Sequence, residues 1–192
     1  NSTGNQLISK ETAGGKSVVV IEKGEPKSCN IVTSCEGKGK TFIMFSDDLD
    51  KALATFVLAN GAAATGQKVT IFFTFWGLNV IKKLHKPNVE KDIFGKMFGM
   101  MLPSSSRKLK LSKMSMGGIG GKMMRYIMNR KGIDSLESLR QQALENGVEF
   151  IACQMSMDVM GVKQEELLDE VTIGGVATYM ERADNANINL FI

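Results

Sequence analysis

Three largely apolar runs are separated along the chain by longer segments whose apolar residues recur at helical spacing. The runs cover residues 41–45, 69–75 and 148–152, and they are rich in β-branched and aromatic side chains. Apolar runs of this length are typical of strands that are covered on both faces of a sheet. Such strands alternating with helices predict βαβ units, so we expect an α/β fold with a mostly parallel sheet.

Capping signals and apolar periodicity predict the helices. Asp47 and Asp48 follow the first run as capping residues, and residues 134–137 form a capping box before another helix. A helix is expected after the second run, where Leu78 begins an apolar pattern. Further elements are predicted as an amphipathic helix over 123–130 with Met123, Met124, Ile127 and Met128 on one side, helices over 164–169 and 175–182, and a closing strand over 187–192.

The first part of the chain shows a different pattern. Residues 7–9 and 17–22 indicate two strands joined by a turn, which predicts a β-hairpin. An isolated hairpin is at best marginally stable in water, so we expect it to belong to a preceding domain. The chain begins at Asn1 and not at Met, and we therefore expect a piece of a longer protein. The predicted parts are a hairpin remnant at 1–25, a linker at 26–40 and a globular domain at 41–192.

The composition restricts the class of protein. Hydrophobic residues make up 43% and charged residues 23% of the 192 positions, as in ordinary globular domains. The net charge of +4 is small, and we expect the basic residues to be scattered along the chain. Neither feature indicates nucleic-acid binding. No apolar run is long enough to cross a bilayer and no secretory signal is visible, so we expect no membrane association.

Three widely spaced cysteines do not form a disulfide framework, which favours a reducing cytoplasm. Cys29 and Cys35 lie in the linker, and their spacing matches no compact metal or dithiol motif, although a mobile redox pair stays open. The single histidine, His85, argues against most metal sites and against any Ser-His-Asp or Cys-His scheme that lacks a partner chain. We therefore predict no metal.

Cys153 is the main candidate for chemistry. It ends the apolar run 148–152 and precedes residues with apolar side chains at helix spacing, so it is predicted to lie at a strand-to-helix corner. Amides at a helix N-terminus favour the thiolate, and ligands of open α/β sheets bind at this edge. We expect a reactive, exposed thiol. The alternative is a buried cysteine that acts as a small apolar core residue.

Other candidate residues give weaker signals. The glycine-rich stretch 117–121 departs from the nucleotide-binding patterns, because Met116 stands where the first glycine belongs and Met123 follows the lysine. Its amides still form a candidate anion site, with tight helix packing or a flexible lid as the alternative. Asp47, Asp48 and Asp158 are interpreted as helix carboxylates and not as catalytic groups.

Three segments resemble the DsrE/DsrF-like family, in its larger, methionine-rich branch: residues 150–161, 174–179 and 114–124. The resemblance runs from about Thr41 to the C-terminus. Residues 3–8 and 18–23 resemble the last two strands of a TusA-like sulfur carrier. Together they resemble the C-terminal part of a multidomain pyridine nucleotide–disulfide oxidoreductase that also carries a rhodanese domain.

The resemblance implies a three-layer, flavodoxin-like fold assembled as a trimer or hexamer, and cytoplasmic sulfur relay. In that relay Cys153 accepts sulfane sulfur as a persulfide and exchanges it with TusA-like and rhodanese-like carriers. Cys153 is the only residue to which the motif transfers a functional role from the family. No cofactor is expected in this chain, because FAD and NAD(P)H or coenzyme A would belong to upstream domains. The activity implied is sulfurtransferase-like, without independent redox activity.

The pattern and the resemblance together predict a pocket around Cys153. Rim lysines such as Lys113 and Lys122 would favour an anionic donor. The predicted lining residues are Ser46, Trp76, Gly117, Gly118, Met155 and Ser156. Two other functions stay open, namely a module that binds a nucleotide or coenzyme A, and a purely structural oligomerisation module with a methionine-rich surface.

Overall fold

The computed structural model describes the backbone of residues 5–13 and 16–23, and the backbone and side chains of residues 39–84, 97, 102–113 and 118–192. Two compact units divide the chain, Asn1–Cys35 and Glu36–Ile192. Cys29, Cys35, His85 and Gly117 lie outside the described residues.

The first unit contains the predicted hairpin. Strands β1 (Asn5–Ala13) and β2 (Lys16–Lys23) pair in antiparallel fashion, with an irregularity in register between Leu7 and Ser9. Both strands are longer than the sequence pattern indicates, because polar residues that flank the apolar positions also join the ladder.

The second unit is built on a five-stranded sheet in which every pair of neighbours is parallel. The strand order is β6-β5-β4-β3-β7. The sheet confirms the α/β, flavodoxin-like fold. The strands are β3 (Gly39–Met44), β4 (Val69–Phe73), β5 (Glu149–Cys153), β6 (Thr172–Gly174) and β7 (Ala186–Phe191).

Helices cover both faces of this sheet. Their bounds are α1 (Leu49–Ala64), α2 (Ile119–Arg130), α3 (Leu136–Glu145), α4 (Gln154–Met160) and α5 (Val176–Asp184). All five residues of β4 are buried, as expected for a central strand. On one face Phe56 of α1 contacts the rings of Phe73 and Phe150. On the other face Tyr179 of α5 contacts the ring of Phe72. The second unit therefore contains three layers.

The segment after β4 differs from the prediction. It is a 3-10 helix, Phe75–Ile81, where the sequence pattern favoured an α-helix. Phe75 has a positive φ of 47°, and the backbone N–H of Gly77 donates to the Phe45 carbonyl at 2.8 Å. These contacts hold the turn against the end of β3, so a regular α-helix cannot start there.

Within the described residues, no helix combines the length and the hydropathy that crossing a membrane requires.

Candidate functional site

Cys153 lies at the corner that the sequence predicts. It is the last residue of β5 and the residue that precedes α4, and its backbone is extended with φ −71° and ψ 114°. Because β5 is parallel to its neighbours, Cys153 lies at the carboxyl edge of the sheet, where open α/β sheets bind their ligands.

The sulfur is nevertheless buried. Cys153 is 2% exposed and packs in a cluster with Phe72, Ile151 and Tyr179. Side chains alternate along a strand, so Cys153 shares a face with Ile151 and points toward α5. The expectation of an exposed thiol is therefore wrong for this chain as folded. The side chain also makes no capping hydrogen bond to the first amides of α4, all of which are described.

Close packing of α5 explains this burial. Gly174 pairs with Cys153 across β5 and β6, and a Cβ added to Gly174 would lie 2.8 Å from Ile151 Cγ2 and 3.3 Å from Thr178 Cβ. A glycine at this position thus lets α5 approach the strand that carries the thiol. Sequence reasoning missed Tyr179 and Gly174 as neighbours of Cys153, although both belong to a segment that carries the family resemblance.

Two of the predicted lining residues are exposed near this edge. Trp76 is 43% exposed and Met155 is 54% exposed. Trp76 belongs to the 3-10 helix after β4, and Met155 is the second residue of α4. Both therefore present apolar surface close to the carboxyl ends of β4 and β5.

Ser156 is buried and serves packing. Its Oγ lies 2.8 Å from Thr74 Oγ1, and neither residue is open to solvent. Thr74 directly follows β4, so this hydrogen bond joins α4 to the end of the neighbouring strand. The predicted direct role of Ser156 in lining an open pocket is not supported by this position.

The Ser46 hydroxyl makes its hydrogen bonds with residues at the start of α1. Its hydroxyl donates to Asp48 Oδ2 at 2.8 Å and accepts from the Asp48 N–H at 3.2 Å and from Lys51 Nζ at 3.4 Å. Asp48 is the residue before α1, as predicted, but its carboxylate does not cap the helix amides. It forms an ion pair with Lys51 at 2.8 Å instead, and that hydrogen bond raises the pKa of Lys51.

Asp47 points inward and not toward the helix start. Asn79, which is fully buried, donates from Nδ2 to Asp47 Oδ2 at 2.9 Å. Burial is the main reason that the pKa of Asp47 is raised above its ordinary value of 3.8. The Oδ1 atom of Asn79 has no hydrogen-bond partner within the part of the chain that the structure describes.

The glycine-rich stretch is described from Gly118 onward. Gly118 has φ 96° and precedes α2, and a Cβ on Gly121 would lie 3.2 Å from the Leu109 carbonyl. These positions agree with close helix packing. They give no evidence for an anion site, and the predicted lining role of Gly118 stays a prediction.

A separate cleft of about 830 Å³ lies where α1, α2 and α3 meet. Arg125 of α2 lies 3.4 Å from Glu137 Oε2 and donates to the Ser106 carbonyl at 3.0 Å. Leu49, Met128 and Leu136 give the cleft an apolar wall. Cys153 is not among its lining residues. Among the described residues, no group of three or more His, Cys, Asp or Glu could hold a metal ion.

Comparisons with known proteins show which family and which relatives this chain is similar to. The model of the DsrE/DsrF/DrsH-like family matches residues 37–191. The uncharacterized protein YrkE of Bacillus subtilis is 44% identical over 155 residues, which cover 81% of this chain and 97% of that protein. The sulfur carrier protein DsrE2 of Allochromatium vinosum is 38% identical over 161 residues, which cover 82% of this chain and 99% of that protein.

Among solved structures, the YchN protein of E. coli aligns with a TM-score of 0.48 and 11% identity, covering 80% of this chain and 99% of YchN. The MTH1491 protein of Methanobacterium thermoautotrophicum aligns with a TM-score of 0.40 and 15% identity, covering 79% of this chain and 96% of that protein.

Proposed function

The chain belongs to the DsrE/DsrF/DrsH-like family, and from this premise we propose that it relays sulfur through Cys153, which accepts sulfane sulfur as a persulfide. One observation carries the choice of residue. Cys153 is the single cysteine within the family-matched residues 37–191, because Cys29 and Cys35 both precede them. A cysteine-borne sulfur relay in this domain therefore depends on Cys153.

The chemistry is a thiol exchange without net oxidation. The Cys153 thiolate attacks the terminal sulfur of a donor persulfide, a new S–S bond forms at Sγ, and the bond within the donor breaks. The donor leaves as a thiolate, which takes up the proton that Cys153 lost. In the second half, an acceptor thiolate attacks the terminal sulfur on Cys153 and restores the free thiol.

Burial of the thiol adds a requirement. Because Cys153 is buried in the apolar cluster between the sheet and α5, the donor reaches it only after a local displacement of the chain. The Gly174–Gly175 pair immediately before α5 is the natural place for that displacement, since glycine has few conformational restrictions. In this proposal α5 opens for loading and closes over the persulfide, which shields it from side reactions.

The proposal includes protein partners. TusA-like and rhodanese-like carriers would donate or accept sulfur, and a trimer or hexamer of this chain in the cytoplasm is the assembly we expect. The preceding hairpin would belong to a TusA-like domain of a larger oxidoreductase. Support comes from the exposed apolar side chains at and near the carboxyl edge: Trp76, Met155, Val159, Val176 and Met180.

Mass spectrometry of the protein after incubation with a persulfide donor tests the proposal. We expect one added sulfur on the peptide that contains Cys153, and none on that peptide in Cys153→Ser. Cys29→Ser/Cys35→Ser serves as the matched control and should load normally. Loss of loading in this control, with the Cys153 peptide unmodified throughout, would transfer the role to the other two cysteines and contradict the proposal.

The second candidate function is a non-catalytic module that binds a nucleotide or coenzyme A, or that holds an oligomer together. Two observations favour it: the cleft between α1, α2 and α3, and the buried sulfur. Thermal-shift measurements with these ligands test the first form. A Cys153 that stays unmodified by iodoacetamide over hours, in a protein that also fails to load sulfur, would favour the second.

A further inference from the structure

The basic residues are concentrated in one part of the chain. Of the 24 Lys and Arg residues, nine lie in residues 93–133, which contain no Asp or Glu. The other fifteen are outnumbered by the 20 acidic residues, so the rest of the chain is acidic. The expectation of scattered basic residues is therefore wrong, and the small net charge hides this separation.

Helix α2 lies within this acid-free segment and has an unusual outer face. Gly120, Gly121 and Met128 are its buried residues, so they define the inner face. The predicted single apolar side is wrong, because Met123 and Ile127 project outward. The exposed residues on the outer face of α2 are Ile119, Lys122, Met123, Tyr126, Ile127 and Arg130.

Large apolar side chains dominate this outer face. Ile119 and Tyr126 are each 65% exposed. Arg130 follows Ile127 by three residues and Tyr126 by four, so it projects from among the apolar side chains. Tyr, Met and Arg are the residue types that protein interfaces favour. These apolar side chains do not stabilise a helix face that stays in water, whereas they stabilise a face that a partner covers.

Further cations extend this surface toward the carboxyl edge of the sheet. The segment before α2 reaches α1, because the Leu49 N–H donates to the Lys110 carbonyl at 2.7 Å and Ser112 hydrogen-bonds to Asp50. Leu49 begins the helix that follows β3, so this contact lies at the same edge as Cys153. The exposed cations of the surface are Arg107, Lys108, Lys110, Lys113, Lys122, Arg130 and Lys131.

These seven cations are not neutralised within the chain as described. None of them forms an ion pair with a carboxylate of the described residues, and Arg125 is the single cation of α2 that does, through Glu137. We define the cationic helix surface as the outer face of α2 together with these seven cations.

We propose that the cationic helix surface docks an acidic protein partner, and that this partner exchanges sulfur with Cys153. The proposal rests on the relay proposed above and adds how the partner is recognised. The partner would present carboxylates around an apolar centre that receives Tyr126 and Met123. Opposite charges would raise the association rate, and the apolar centre would supply the buried area.

The geometry favours a protein over a lipid surface as the occupant. Helices that lie in a membrane interface bury an apolar face and keep their cations on the polar side. Here Arg130 stands among the apolar side chains, so insertion of that face would carry a guanidinium into the acyl region. A protein surface can place a carboxylate opposite Arg130 within the same contact.

The test compares two sources of sulfur in the full chain. One is inorganic polysulfide, which loads Cys153 without docking, and the other is a TusA-like carrier in its persulfide form. Two variants change the surface, Arg130→Glu and Tyr126→Ser. Lys68→Glu is the matched control, because Lys68 is exposed, carries the same charge as Arg130 and directly precedes β4 at the opposite edge of the sheet.

We expect Arg130→Glu to lower the second-order rate constant for transfer from the carrier by roughly fivefold or more at about 0.05 M salt, and much less at about 0.5 M. Tyr126→Ser should lower it at both salt concentrations. Loading from polysulfide should be unchanged in all three variants. Transfer at the wild-type rate in both surface variants, or an equal loss in Lys68→Glu, would overturn the docking proposal.

Two more outcomes separate the alternatives. If polysulfide does not load Cys153 in the wild type, the relay itself fails, independently of docking. The second outcome is sedimentation of the protein with phosphatidylcholine vesicles that contain phosphatidylglycerol. If Arg130→Glu abolishes this sedimentation but leaves transfer from the carrier unchanged, the cationic helix surface binds an anionic lipid surface and not a protein partner.

Discussion

At the scale of single residues, Gly77 shows how tightly the carboxyl edge of the sheet is packed. A Cβ at this position would lie 1.9 Å from the Met44 carbonyl oxygen, a backbone atom that cannot rotate away. Gly61, in the interior of α1, has no heavy atom within 4 Å of its added Cβ apart from its chain neighbours and the backbone of its own helix. The two glycines therefore have opposite roles, although the sequence gives no sign of the difference.

We predict that Gly77→Ala lowers the free energy of unfolding by about 3 kcal/mol, because the backbone of β3 must shift to admit the methyl group. Gly61→Ala should raise it by roughly 0.5–1 kcal/mol, since alanine favours the helix. Urea denaturation of both variants measures the two values. A Gly77→Ala variant as stable as the wild type would mean that this edge is looser than the structure indicates.

Glu149 gives a prediction for pH. Its pKa is lowered from the ordinary value of 4.5, first by the hydrogen bond from Arg182, whose Nε lies 2.9 Å from Oε2, and then by the one from Thr70. A lowered pKa in the folded state adds stability that is complete above 4.5 and disappears as the pH falls through the folded value.

Glu149→Gln should therefore be less stable than the wild type at neutral pH, and the difference should shrink steadily below pH 4.5. Unfolding curves at a series of pH values measure this. Glu145→Gln, which removes an exposed carboxylate at the end of α3, is the matched control. A constant deficit of Glu149→Gln across the acid range would contradict the argument.

At the scale of the elements, the proposed relay requires α5 to move before Cys153 can react. The sequence predicts the corner between β5 and α4, because the apolar run and the helix pattern are local signals. It does not predict the burial, because Tyr179, which packs in the same apolar cluster as Cys153, belongs to the later helix α5. Contacts between distant segments depend on strand order, which local periodicity does not encode.

The same limit explains the other differences. The 3-10 helix after β4 follows from the hydrogen bond between the Gly77 N–H and the carbonyl of Phe45, the residue that directly follows β3. The outward direction of Met123 follows from Gly121, which lets another side of α2 pack closely against the Leu109 carbonyl. The central strands were predictable because their sequences are apolar on both faces, whatever their neighbours are.

We predict that Tyr179→Ala increases the rate at which iodoacetamide modifies Cys153, because the deletion loosens the apolar cluster that buries Cys153. Mass spectrometry of the Cys153 peptide separates this reaction from that of the other cysteines. Met180→Ala, which changes an exposed residue on the same helix, should leave the rate unchanged. Equal rates in the wild type and in Tyr179→Ala, with circular dichroism showing both folded, would exclude α5 as the barrier.

At the scale of the whole chain, two features define the proposed relay. The all-parallel sheet brings the ends of β3, β4 and β5 to one edge, and the single cysteine of the family-matched region lies there. The acid-free segment places a cationic surface that reaches the same edge. In the proposal the Cys153 thiol carries the sulfur and the cationic helix surface binds the partner. A substitution can therefore disrupt either one without the other.

The most direct test of the relay is a single-turnover transfer. Cys153 is loaded with sulfur, the donor is removed, and a reduced TusA-like carrier is added while the masses of both proteins are followed. The account predicts that one sulfur atom leaves the Cys153 peptide and appears on the carrier's cysteine at the same rate. Sulfur that stays on Cys153, or that is released as sulfide while the carrier remains unmodified, would contradict it.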